Sequence, residues 1–169
     1  MIPPKLALAR EAPQNNEPGA LVVEHLHKQV ANAFILYANY KHYHWQAFGP
    51  FFRDLHLLFD DFANSVLATA DEFAERLRMM GENPIFDYRA MLDMSRVKPS
   101  RPGQTMKQMV KEAGDNLPPV ISDMRDAARL ANDDNDPGTV DLFSRTVQLH
   151  EKHEWFLRQI LMQKDGLTG

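Results

Sequence analysis

The chain has 169 residues, 44% of them hydrophobic and 25% charged, and a formal net charge of −4. This is the balance of a soluble globular protein long enough for one domain with a real core. The absence of cysteine excludes disulfides and thiolate metal sites, and the lack of a membrane-length apolar run or a secretory leader makes the cytoplasm the expected location.

Residues 1–18 hold four prolines and are expected to form a flexible tail. The domain is expected over 19–165, with a short tail at 166–169. From Ala20, apolar residues at Val22, Leu26, Val30, Ala33, Leu36 or Tyr37, and Tyr40 recur at helical spacing and predict a helix to about Trp45. Phe48-Gly49-Pro50 is a turn. A second helix runs to about Met80, where Gly81 suits a C-cap and Pro84 follows. Residues 82–103 form a long connection with a short helix at Tyr88 to Met94. A third helix spans about Thr105 to Leu130, with Thr105 as N-cap; Pro118-Pro119 must kink or break it. After an acidic turn at Asn132 to Gly138, a fourth helix runs from about Thr139 to Lys164. Four long helices with one long crossover describe an all-α bundle of the ferritin-like kind.

The second helix carries the chemistry. His56 and Asp60 are four residues apart, as are Asp71 and Glu75. At ~100° per residue the four fall within an arc of about 100°, so one stripe holds them all. Histidine with carboxylate suits iron, manganese or zinc. Asp60 and Asp71 are separated by about 16 Å along the axis, too far for one ion. An antiparallel copy related by a two-fold axis near residues 65–66 would set His56 and Asp60 of one helix opposite Glu75 and Asp71 of the other, making two identical sites at each interface. His44, near the end of the preceding helix, can add a ligand. The competing reading of the carboxylates is a solvated helix face.

The run His44-Trp45, Gly49-Pro50-Phe51-Phe52, Leu55-His56, Asp60-Asp61 and Asp71-Glu72-Phe73-Ala74-Glu75-Arg76 resembles the Dps family, the mini-ferritins named as DNA-binding proteins from starved cells. Weaker likeness extends from about Leu21 to Leu161 and includes His150-Glu151-Lys152-His153-Glu154-Trp155-Phe156-Leu157. The resemblance implies a homododecameric hollow shell with a di-iron ferroxidase site between two-fold-related subunits. Its ligands fall on His44, His56 and Asp60 of one subunit and on Asp71 and Glu75 of its mate. Glu75 is then the strongest ligand and bridges; His44 and Asp71 complete the first iron position, and His56 and Asp60 hold the second. His44 and Glu75 are the expected catalytic residues. The implied reaction is oxidation of iron(II), by hydrogen peroxide or by dioxygen, with storage of ferric mineral. Zinc competes for the same ligands, which leaves a zinc- or iron-buffering shell without redox turnover as an alternative.

Other residues carry two readings each. Arg76 either orients a carboxylate of the site or pairs with Glu72 on the surface. Trp45 and Trp155 either quench stray radicals or pack in the core. His150 and His153 either extend the iron site with a nitrogen ligand or form a surface or hydrogen-bonded pair. His25 and His27 diverge on a helix, and hold surface zinc only if the helix starts later; His42 is structural. The acidic residues Asp133, Asp134, Asp136 and Asp141 read as a solvated turn; the resemblance makes Asp136 and Asp141 the lining of a three-fold pore that draws iron inward. A DNA-coating role is not expected. The first eighteen residues hold only Lys5 and Arg10 against Glu11 and Glu17, and twelve copies would sum to a charge of about −48, repulsive toward phosphate.

Overall fold

The computed structural model describes residues 19–162; the tails expected at 1–18 and 166–169 lie outside the described residues. Among these, six helices form: α1 (Ala20–Gln46), α2 (Phe52–Met79), α3 (Tyr88–Met94), α4 (Met106–Asp115), α5 (Leu117–Asp133) and α6 (Pro137–Ile160). α1 packs along α2 as a long hairpin, and α6 packs on α5 and α4. With α4 and α5 as one interrupted member, this is a four-helix bundle whose crossover carries α3.

Local chemistry sets the boundaries. Gly49, at φ +84°, turns the chain between α1 and α2. α2 ends in a Schellman motif: Gly81 takes φ +92°, its N–H bonds Arg78 O at 3.1 Å, and Glu82 N–H bonds Leu77 O at 2.9 Å. Thr105 and Gln108 form a reciprocal capping box on α4. The two prolines break the third bundle helix rather than kink it. α4 stops at Asp115, and Pro118 and Pro119 fall in the first turn of α5, where no backbone N–H is needed. α6 starts at Pro137 rather than Thr139, because Asp136 caps it by accepting from the Thr139 N–H at 3.0 Å. It ends at Ile160, four residues before Lys164.

The core runs the length of the bundle through Leu26, Tyr40, Phe59, Phe73, Leu77, Met109, Leu117, Met124, Phe143 and Leu157, all essentially inaccessible. Three buried asparagines tie the crossover to it. Asn32 Oδ1 accepts from Ser95 Oγ at 2.9 Å and from the Arg96 N–H at 2.8 Å. Asn39 Nδ2 donates to Lys98 O at 2.8 Å, and its Oδ1 accepts from the Ser100 N–H at 2.8 Å. Asn116, in the break between α4 and α5, accepts from the Lys98 N–H at 3.0 Å and donates to Lys98 O at 3.2 Å. Side chains thus supply the pairing that an extended segment over a helical bundle cannot find in a sheet. Asn39→Ala removes the partner of the half-buried Ser100 N–H and is expected to lower stability by about 1 kcal/mol in urea unfolding; an unchanged midpoint would show that the strap of residues 95–100 contributes nothing.

Candidate metal centre

The α1–α2 hairpin brings His44, in the last turn of α1, beside His56, in the second turn of α2. The rings stack with centroids 3.7 Å apart and an interplanar angle of 22°. Each reaches the other's main chain: His44 Nδ1 lies 2.7 Å from His56 O, and His56 Nδ1 lies 3.0 Å from His44 O. A carbonyl oxygen only accepts, so both Nδ1 atoms carry the proton. In the neutral rings each Nε2 then holds the lone pair, and both are oriented by backbone carbonyls in the manner of metal-binding histidines.

Asp60 lies one turn beyond His56 on α2. Its Oδ1 accepts from Lys41 Nζ at 2.7 Å. The Lys41 hydrogen bond is the main reason that Asp60 sits below the usual carboxylate range; His44 and His56 add to it. Lys41 escaped the sequence reading, although it stands one turn before His44 on α1 and so shares its face. Asp71 and Glu75 are exposed on the same helix, but eleven and fifteen residues beyond Asp60. Within one chain they stay apart from the histidines, and among the described residues no three His, Asp or Glu side chains converge to hold an ion.

Several neighbours sit differently from expectation. Arg76 does not pair with Glu72. Its Nη2 grips both Asp136 oxygens at 2.7 and 2.8 Å, and its Nε donates to Thr139 Oγ1 at 2.8 Å. Glu72 pairs instead with Arg145 at 3.0 Å, and Arg145 also holds Asp141 at 2.9 Å. Partial burial alone would raise Asp136, but the bonds from Arg76 and Thr139 outweigh it and hold the group below the ordinary value. Both aspartates expected at a pore therefore already carry a cation within the chain. Trp45 and Trp155 are 67% and 50% exposed rather than packed in the core.

His150 and His153 are buried, not surface residues, at 1% and 5% exposure. His153 stacks on Phe62 with centroids 3.8 Å apart, and its Nε2 lies 3.2 Å from Ser65 Oγ. Burial pushes His150 down to about 4 and His153 to about 3, the latter helped by its neighbours His150 and Lys152. His27 Nδ1 accepts from the Ile85 N–H at 3.2 Å, and His42 meets the Tyr43 ring edge-on.

A model of the ferritin-like domain matches residues 23–165. Over 147 residues the chain is 31% identical to DNA protection during starvation protein 1 of Deinococcus radiodurans, covering 83% of this chain and 68% of that protein. The structure of Dps from Thermosynechococcus elongatus superposes with a TM-score of 0.84 at 42% identity, covering 90% of this chain and 99% of that one. Dps from Vibrio cholerae O1, described as a member of a broad superfamily of ferritin-like diiron-carboxylate proteins, has a TM-score of 0.79 at 26% identity, covering 83% and 89%. The chain belongs to the Dps family of ferritin-like proteins.

Proposed function

We propose that the protein is a cytoplasmic ferroxidase and iron store, a homododecamer whose iron(II)-oxidising sites lie between two-fold-related chains. His44, His56 and Asp60 of one chain and Asp71 and Glu75 of the next hold the iron, which is the substrate. The carrying observation is the reciprocal His44–His56 pair, which presents two oriented Nε2 atoms at one end of a stripe whose remaining carboxylates lie about 16 Å away. A second antiparallel copy closes that distance. The outward face of α2 also exposes Leu57 and Leu67, and Trp45, Phe51 and Phe52 crowd the hairpin end, apolar surface that a neighbouring chain would cover.

Hard carboxylate oxygens favour iron(III) over iron(II), so the ligand set makes electron loss more favourable. Two iron(II) ions each give one electron to a single hydrogen peroxide. Its O–O bond breaks to water-level oxygen without release of hydroxyl radical, and hydrolysis of the ferric product releases protons. Dioxygen is the alternative oxidant and zinc the competing ion. His150 and His153 stay outside this ligand set, since their rings are packed in the core. Direct DNA binding through the termini is not part of this reading.

The test adds hydrogen peroxide to apo protein loaded with iron(II) under argon and follows ferric absorbance. Acceleration well above buffer is expected; none would leave a metal-buffering shell. Lys41 offers a finer check, because its ammonium occupies Asp60. Lys41→Met is expected to tighten zinc(II) binding about fivefold at low salt, read by calorimetry. Unchanged affinity would mean that Asp60 is not a ligand.

A further inference from the structure

A surface cleft of about 390 Å³ opens between the strap and the α4–α5 junction, with Arg96, Lys98, Arg101, Lys111, Glu112 and Asn116 in its wall. None of the proposed iron ligands lines it. Residues 96–111 carry five Lys or Arg and no Asp or Glu, in a chain whose net charge is −4. The carboxylates at the cleft are already engaged. Glu112 accepts from the Tyr43 hydroxyl at 2.8 Å and pairs with Arg101 at 3.2 Å; Asp115 pairs with Lys111 at 2.5 Å. Arg96 meets Asp123 through Nε alone, at 3.0 Å, which leaves its two terminal nitrogens without a protein acceptor among the described residues. Lys98 has no carboxylate partner among them. Yet its main chain is clamped at N–H and C=O by Asn39 and Asn116. A rigid backbone thus holds an uncompensated ammonium over a cleft.

We propose that this cleft binds a small phosphate-bearing anion, with Lys98, Arg101 and Arg96 as its charged donors. Guanidinium forks match the oxygens of a phosphate, and lysine adds a point charge. The asparagine clamps order the strap in advance, so little freedom is lost on binding. A walled cleft of this size has room for a short polyphosphate, or for orthophosphate with its hydration water, whereas a nucleic-acid backbone needs cations spread along a track.

Calorimetry on the full-length protein at low ionic strength tests this, with orthophosphate in one arm and tripolyphosphate in the other. One anion is expected per chain. Lys98→Gln should weaken binding about tenfold and Lys98→Arg retain it. Lys107→Gln, which removes an exposed charge of the same segment outside the cleft, should change it by less than about twofold. Comparable affinity for the two anions would identify a single phosphate group as the ligand; tighter tripolyphosphate would identify a chain of them. The proposal is overturned if neither anion binds, if Lys98→Gln and Lys107→Gln weaken binding equally, or if only a single-stranded oligonucleotide binds.

Discussion

Two inactive variants, His44→Ala and Glu75→Ala, are expected to recover peroxide-driven iron(II) oxidation when co-assembled. Each alone should lose at least ~100-fold in rate, since removing a ligand costs more than removing the partner that orients one. In a two-fold pair, one site takes His44 from the first chain and Glu75 from the second, and the other takes the reverse. A mixed pair therefore contains one site with both residues and one with neither. Random mixing makes half of the pairs mixed, so about a quarter of the parental activity should return. Sites built within one chain would return nothing, because every chain lacks a ligand. No recovery in assemblies shown by mass to contain both chains would sink the shared-site reading while leaving each ligand assignment to be judged by its single variant.

That experiment rests on a stripe that was legible without coordinates, and the reason is physical. A helix repeats every 3.6 residues, so His56, Asp60, Asp71 and Glu75 declare one face by arithmetic. The ends of α2 and α4 were legible for a similar reason: Gly81 and Thr105 do at those positions what few other residues can. The forced interruption at Pro118-Pro119 was equally plain. What spacing could not reveal is pairing across elements. Arg76 finds Asp136 on α6 rather than Glu72 one turn away, because Asp136 caps a helix that packs there. Nothing in the spacing of Asn32 and Asn39 points to the strap whose Arg96 and Ser100 N–H groups they accept from. Core packing was one of two readings of Trp45, which lies exposed at the hairpin end. The buried His150 and His153 fell to the same blindness: periodicity put them on α6 but not on its inner side.

Those two histidines should make the protein acid-labile below pH 6.5, with His25 and His27, also lowered mainly by burial, adding to the effect with the same sign. In the fold both are buried and neutral, held down to about 4 and about 3; in the unfolded chain each returns to 6.5. Below pH 6.5 the unfolded state therefore binds more protons than the native state, and stability falls as pH falls. The contribution is intact above the unfolded value and drains away as pH drops toward the folded values. Each histidine adds a slope of up to ~1.4 kcal/mol per pH unit, and the pair up to ~2.7. Carboxylates with lowered values, Asp60 and Asp136, act with the same sign but only as pH falls through and below the ordinary carboxylate value, so between pH 6.5 and about 4.5 the histidines dominate. Urea unfolding at fixed protein concentration, which keeps the assembly term constant, should show the slope. His153→Phe keeps a ring against Phe62 and removes one titrating group, so it should lower the slope by up to ~1.4 kcal/mol per pH unit over that range even if it shifts the absolute stability. An unchanged slope in His153→Phe would mean that His153 takes up its proton without leaving the core.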